Sequence, residues 1–549
     1  VFPPIPAYIV CIVRFLSTVA ATFGSTSNAA ACLLACFVCL FASHAPAQQS
    51  NITCGVDHSR PTRADLFFFR HDFAHAAKLY ATAYAQDPTD YRSHLFLIES
   101  LLAAKSIDAA QRDARTWLAA SPEDPYALIA AAEISYYKGD WAQYYALPHK
   151  ALHLNPCLPI AYSDLGDFES LNGYRATARK HFALAHKLAP YDLSVSIQWI
   201  KSLDSKEQSE EITNLLNDAT GLDSRDRKTL AHRLNQLKIM LENRCELPRI
   251  THTVVIPMTP VYGEIGIKYY AVEVAFNGKK RLLQLDTGAS GFLLTSNAGA
   301  NLNLHTLDKT TVAGFGDQED TSVAIARAAS VTIGGVTLQN CPVDTFIPHD
   351  IQIGNNQGLI GTSVFQQALV TLDYRRHEVR LDPLPPPNHD SNGTNPTNAD
   401  ENTDWSQLDR STPTSLESWT KIYRRGHHLI VPMVLSNGSR DLTGQLFILD
   451  TGAASDLIDI HLAKGFTRYK ETTLTAHGLS GFSKNISKTG KLTADFAGLS
   501  IPVSSMQALD LSGFGGVAGF LGYQTLGQLV LHIDYRDNLI SFDPPIDYR

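Results

Sequence analysis

The chain has 549 residues, of which 44% are hydrophobic and 18% charged, and its 54 acidic against 46 basic side chains give a formal charge of -8. That length exceeds what one core usually serves and predicts several domains. The acidic balance, with no basic run along the sequence, argues against a nucleic-acid partner.

The first segment to carry a signal is the apolar stretch Ala29 to Ser43, followed by Ala45-Pro46-Ala47. An apolar run ending in small residues is the pattern of a secretory leader, so residues 1–47 are read as a signal or targeting segment and the chain as exported, to the medium, the periplasm or the cell envelope. The alternative is an uncleaved anchor, and membrane contact is expected only in that case. Cleavage after Ala47 leaves Cys54, Cys157, Cys245 and Cys341 of the eight cysteines. Four cysteines allow three pairings in an oxidising compartment, or they stay as separate buried thiols. Their spacing matches no zinc pattern, and no cofactor is expected.

From about 57 to 245 the sequence is rich in Ala, Leu, Tyr and Lys with apolar residues at helical spacing. Asp87-Pro88, Ser121-Pro122, Asn155-Pro156 and Ala189-Pro190 set a proline every 34 residues. Proline cannot continue the helix before it, so each closes a helix pair. Counting back from these prolines, Ala76, Tyr80 and Ala83 fill one unit and Gly166, Ala178, Phe182 and Ala185 another, at offsets where helices approach closely. Trp117 stands where a small residue is usual, and Pro148 falls inside an expected helix. The period and these positions resemble a tetratricopeptide array of about four units. The resemblance implies a surface for a protein partner; a helical spacer with no ligand is the alternative.

After Arg249 the texture changes to alternating Val, Ile and Thr broken by Gly, as in Tyr270 to Phe276 before Asn277-Gly278, a strand leading into a tight turn. The remainder reads as one β module written twice. Leu282-Leu-Gln-Leu-Asp286-Thr-Gly-Ala returns as Leu446-Phe-Ile-Leu-Asp450-Thr-Gly-Ala; Gly358-Leu-Ile-Gly361 returns as Gly519-Phe-Leu-Gly522; Leu372-Asp-Tyr-Arg375 returns as Ile533-Asp-Tyr-Arg536. The expected bounds are 250–383 for the first copy and 421–549 for the second. Residues 384–420, headed by Pro385-Pro386-Pro387, are a solvated linker.

At Asp286 and Asp450 an apolar strand runs straight into a carboxylate followed by Thr-Gly. A buried lone carboxylate is costly, so one such site needs dedicated donors, and two in duplicated modules point to loops that meet across a pseudo-twofold axis. Apolar-apolar-Asp-Thr-Gly-Ala with a later apolar-apolar-Gly resembles the retropepsin-like half of an aspartic peptidase, and the tandem resembles the single-chain, two-lobed pepsin arrangement, over about residues 250–549. The resemblance implies an endopeptidase acting on a peptide or protein substrate: Asp286 and Asp450 hold one proton between them and activate a water, one as base and the other as acid. It also implies hydrogen bonds exchanged by Thr287 and Thr451, close backbone approach at Gly288 and Gly452, and close strand crossing at Gly361 and Gly522. Candidate flaps are Gly314, Phe315 and Gly316 in the first copy and Gly478, Gly481 and Phe482 in the second. His427-His428 accompanies no nucleophile motif and is read as ordinary core or surface histidine.

The expected architecture is multidomain: an N-terminal all-α tetratricopeptide-like superhelix and a C-terminal all-β bilobal aspartic peptidase fold. The rival function is a catalytically idle peptidase scaffold whose helical array binds protein partners, since fold alone does not establish activity.

Overall fold

Four helix pairs, each closed by a proline, follow one another between Arg63 and Leu188. The structure, a computed structural model, describes residues 53–545 except 219–223, scattered positions from 225 to 246, 264–265, 313–320, 347–356, 387–408, 411, 474, 479–480, 485 and 512–513. The leading helix α1 (Arg63–Phe69) starts at a capping box in which the Thr62 side chain accepts from Asp65 N and the Asp65 carboxylate accepts from Thr62 N. α1 pairs with α2 (Phe73–Gln86), α3 (Tyr91–Ala103) with α4 (Ile107–Ala120), α5 (Pro125–Tyr137) with α6 (Trp141–Leu154), and α7 (Pro159–Leu171) with α8 (Arg175–Leu188); α9 (Leu193–Ser202) and α10 (Ser205–Asp218) follow. The start of α2, α4, α6 and α8 advances by 34 residues each time, as does the start of α3, α5, α7 and α9.

The sequence dictates these boundaries locally. Each of α2, α4, α6 and α8 stops two residues before Pro88, Pro122, Pro156 or Pro190, and Asp90, Asp124 and Asp192 then cap α3, α5 and α9 by accepting from backbone N–H groups of the first turn. Gly166 on α7 lets the Phe182 ring of α8 pack against its backbone: a Cβ there would stand 2.7 Å from the ring. Arg92 bridges Asp65 at 2.9 Å and Asp192 at 2.8 Å, tying the front of the helical region to α9.

The β part begins with β1 (Val254–Tyr262), β2 (Ile267–Phe276) and β3 (Lys279–Asp286). Asn277 and Gly278 both have positive φ (49° and 80°), the conformation a two-residue hairpin needs, and Phe276 pairs with Lys279 across it. There follow β4 (Phe292–Leu294), β5 (His305–Val312), β6 (Thr321–Ile333), β7 (Val336–Phe346), β8 (Gly358–Gly361), β9 (Leu369–Asp373) and β10 (Glu378–Asp382). Further on are β11 (Thr420–Lys421), β12 (Tyr423–Arg425), β13 (His428–Ser436), β14 (Asp441–Leu449), β15 (Leu457–Asp459), β16 (Tyr469–Glu471), β17 (Thr475–Gly478), β18 (Gly481–Lys484), β19 (Ser487–Thr489), β20 (Leu492–Phe496), β21 (Leu499–Val503), β22 (Gln507–Leu509), β23 (Gly519–Leu521), β24 (Val530–Asp534) and β25 (Leu539–Asp543).

The pairings of the two stretches correspond. β3 runs parallel to β8, β8 antiparallel to β4, and β4 parallel to β7; likewise β14 runs parallel to β23, β23 antiparallel to β15, and β15 parallel to β22. One apolar core, including Leu283, Leu285, Ile360, Leu372, Leu449, Leu521 and Ile533, runs through both stretches. β9 and β24 pair antiparallel and join strands of both stretches into a single sheet.

Helices and strands belong to one unit, Gly55–Arg549. Trp141 and Leu171 share an apolar cluster with Ile430, Leu446, Ile448, Val517 and Phe520, and the Trp141 and Tyr423 rings meet edge to face at 4.6 Å. Arg425 Nη1 donates to Tyr136 Oη at 2.9 Å, and Thr177 N donates to Asp409 Oδ1 at 3.0 Å. A disulfide joins Cys245, after the helices, to Cys341 on β7.

Candidate active site

Asp286 ends β3 and Asp450 follows β14, so each carboxyl stands where an apolar central strand gives out. Leu283, Leu285, Phe447 and Leu449 are buried and fix these strands in the core. Beside each lies the strand carrying the later glycine: Asp286 pairs in register with Gly361, and Leu449 with Leu521, next to Gly522. A Cβ on Gly361 would fall 2.2 Å from Ala289 O, and one on Gly522 would fall 2.4 Å from Ser455 O, so only glycine lets the Asp loops cross these strands.

The two loops clasp each other through their threonines. Thr287 N donates to Thr451 Oγ1 at 3.0 Å and Thr451 N donates to Thr287 Oγ1 at 2.9 Å. Each hydroxyl then donates across to the strand before the other Asp, Thr287 Oγ1 to Leu449 O at 2.7 Å and Thr451 Oγ1 to Leu285 O at 3.3 Å. Both threonines are buried, so these four bonds are shielded from water.

The clasp brings Asp286 and Asp450 together, close enough that the Asp450 charge acts on the Asp286 carboxyl. Gly288 N donates to Asp286 Oδ1 at 2.7 Å; Gly452 N and Ala453 N donate to Asp450 Oδ1 at 2.9 and 3.1 Å. Gly288 and Gly452 sit against the carboxyl of the opposite loop: a Cβ on Gly452 would lie 2.3 Å from Asp286 Oδ2, and one on Gly288 would lie 2.8 Å from Asp450 Oδ1. Burial, and then the neighbouring Asp450 charge, push the Asp286 carboxyl well above the usual carboxylate range. Burial also raises Asp450, opposed by the hydrogen bond from Asp286 and the donors of Ala453 and Gly452. The pair therefore holds one proton more readily than none.

Three residues that no motif announces complete the site. His427 Nε2 lies 2.9 Å from Gly288 O and Gln284 Nε2 donates to Gly452 O at 3.0 Å, so each Asp loop has its glycine carbonyl held by a side chain from the other β stretch. His427, read from the sequence as an ordinary core or surface histidine, is thus a partly buried ring bonded to the backbone of the Asp286-Thr-Gly loop. Burial lowers the basicity of His427 and, with His427 and Arg425 close by, pushes His428 down to about 3, so both rings are neutral near pH 7. Behind Asp450, the fully buried Asp456 accepts from Gly522 N at 2.8 Å through Oδ1 and from Thr525 Oγ1 at 2.6 Å through Oδ2.

Of the flap candidates, Gly314, Phe315 and Gly316 lie outside the described residues. Gly478 and Gly481 face each other at the end of the two-stranded β17–β18 hairpin, with Phe482 opposite His477. A surface hollow of about 1000 Å³ near that hairpin's base, lined by Ile460, Lys464, Lys470 and Ser483 among others, includes no residue of the Asp-Thr-Gly loops. Among the described residues no group of three or more His, Cys, Asp or Glu side chains could hold a metal ion.

A β domain with a carboxyl-bearing loop backed by a parallel glycine strand is of the aspartic-peptidase-like class. Residues 272–364, from within β2 past β8 and including Asp286, match the family model described as Aspartyl protease. No curated protein matches the chain.

Proposed function

We propose that this chain is a two-lobed aspartic endopeptidase in which each lobe contributes one catalytic carboxyl, with a tetratricopeptide-like array in front that engages protein. The observation that carries this reading is the reciprocal Thr287–Thr451 clasp with Asp286 and Asp450 brought together beneath one family match and one copy of the same motif. A scaffold with no chemistry to perform has no need of two facing carboxyls held at such electrostatic cost.

In the mechanism we infer, a water bound between the carboxyls attacks the scissile carbonyl carbon. Asp450, whose oxygen accepts two backbone N–H bonds and so favours the charged form, takes a proton from the water, while Asp286 passes its proton to the carbonyl oxygen. The resulting diol collapses as Asp450 gives the proton it took from water to the amine nitrogen and Asp286 takes one from a diol hydroxyl, so that the C–N bond breaks, acid and amine leave, and the pair again holds one proton. His427 and Gln284 keep the loop glycines, and with them the carboxyls, in place. The β17–β18 hairpin is the proposed second-lobe flap. Export through residues 1–47 is part of the same reading, and the Cys245–Cys341 disulfide supports an oxidising destination.

Assay of the full chain on a peptide library from pH 3 to 7, with and without an inhibitor that places a hydroxyl where the scissile carbonyl would be, tests the reading. Inhibitor-sensitive cleavage is expected; a folded chain that neither cleaves nor binds the inhibitor favours the idle-scaffold alternative.

A further inference from the structure

The 34-residue period places Glu99, Glu133, Asp167 and Lys201 at one position, the ninth residue of α3, α5, α7 and α9. Three carboxyls in a row, each on the next first helix of the array, thus run along one face. All three are half-buried. A fourth carboxyl, Asp164, comes from the preceding turn of α7, and its charge is felt together with those of Glu133, Glu99 and Asp167. Asp164 is only 5% exposed, yet its Oδ2 has no hydrogen-bond partner. A nine-tenths buried carboxylate oxygen with no donor is costly, and it is here surrounded by three further carboxyls rather than by the cation that would relieve it.

The cations nearby do not supply that need. Arg92 reaches Glu99 with its charge but is bonded to Asp65 and Asp192, and it does not act on Asp164. Lys201 acts on Asp167, which also accepts from Gln198 Nε2 at 2.8 Å, and so serves only the far end of the row. Tyr137 and Tyr144 border the cluster, and both feel its negative charge. None of these carboxyls belongs to a group that could hold a metal ion, so the spacing suits a wider organic cation whose several N–H donors reach more than one carboxyl, with tyrosine rings beside it.

We propose that this face of the array binds a polypeptide segment through lysine or arginine side chains, whose cationic heads enter the cluster of Glu99, Glu133, Asp164 and Asp167. The inference deepens, and rests on, the reading of the array as a protein-recognition module. Without a ligand the cluster favours protonation: burial raises Asp167 to about 6, burial and the Asp167 charge raise Glu133 to about 8, and burial with neighbouring carboxyls holds Glu99 and Asp164 well above the ordinary range. An entering cation lets them ionise, so binding releases protons to solvent.

The test is binding, not cleavage, so it stands even if the peptidase reading fails. The full chain carrying Asp286→Asn is titrated with a labelled, unstructured peptide of alternating arginine and glycine, and with the same peptide carrying citrulline for arginine. The arginine peptide is expected to bind, with heat that varies with buffer ionisation enthalpy in the sense of proton release, and the citrulline peptide to bind about tenfold more weakly or worse. Adding E133Q and D167N, which put neutral groups of the same shape in place of the carboxyls and so spare the fold, is expected to weaken the arginine peptide by a similar factor. Adding E123Q and E210Q at exposed sites outside the cluster should leave it unchanged. Equal affinity for the two peptides, no binding by either, or equal loss in the two double variants overturns the proposal.

Discussion

Thr371 on β9 lies directly opposite His532 on β24, and Thr371 Oγ1 is 3.0 Å from His532 Nδ1 across a separation of 161 residues. That is the offset between Leu372-Asp-Tyr-Arg375 and Ile533-Asp-Tyr-Arg536, so the pairing is centred on two corresponding positions of the duplicated module. An antiparallel pair centred in this way is what a local twofold axis requires. The same relation recurs where Thr287 and Thr451 exchange hydrogen bonds.

The threonine clasp predicts a loss shared by stability and catalysis. Thr287→Val keeps the shape but removes the donor to Leu449 O and the acceptor for Thr451 N, leaving two buried backbone groups unpaired. Each such group costs about 1–3 kcal/mol. Chemical denaturation should show a loss in that range for either Thr→Val variant and less than the sum for the double variant, because the two residues share bonds.

Gly452→Ala should injure chemistry more than folding. The added methyl would lie 2.3 Å from Asp286 Oδ2, so the carboxyl must turn away from its partner. Displacement of a reacting group by about 1 Å can cost roughly a hundredfold in rate, while overpacking costs about 1–3 kcal/mol. Turnover down by two orders of magnitude in a chain that still melts cooperatively is the expected result.

His427 and Gln284 are positioning residues, and their variants should separate kcat from KM. His427→Ala frees the Gly288 carbonyl and should lower kcat about tenfold, the order of one buried hydrogen bond, with little change in KM. His427→Gln, which restores an N–H donor, should recover most of it. A loss confined to KM would place His427 in substrate binding instead.

Stability should fall as pH rises through the range of the array carboxyls. Glu133 is raised by burial to about 8 and Asp167 to about 6, so the folded state holds protons that the unfolded chain has released. Their contribution is fully present below the ordinary carboxylate values near 4 and is lost as pH rises to about 8. His428, pushed down to about 3, works in the opposite sense and is lost as pH falls from about 6.5. Melting temperature measured from pH 5 to 8 should therefore decline less steeply in E133Q than in the parent chain.

Much of this was legible in the sequence because both halves are repetitive. Proline recurring every 34 residues marked the helix pairs at Pro88, Pro122, Pro156 and Pro190, whereas Pro148 sits inside α6 without ending it; Asp-Thr-Gly and the later glycines were visible because each occurs twice. His427 and Gln284 were not legible, since they occupy non-corresponding positions and act on carbonyls rather than through a motif. Asp456 is a lone buried acid, recognisable only once Gly522 and Thr525 are seen to point at it. The seating of Trp141 against Tyr423, Ile430 and Ile448 depends on contacts that no local pattern encodes.

The central claim is that Asp286 and Asp450 form one catalytic pair, and turnover of D286N and D450N on a peptide that the parent chain cleaves tests it most directly. Each variant should fold, bind the hydroxyl-bearing inhibitor more weakly, and lose hydrolysis by several orders of magnitude, because neither carboxyl alone can both take and give the proton. If either variant, folded and free of contaminating peptidase, keeps near-parental turnover, the pair is not the catalytic centre.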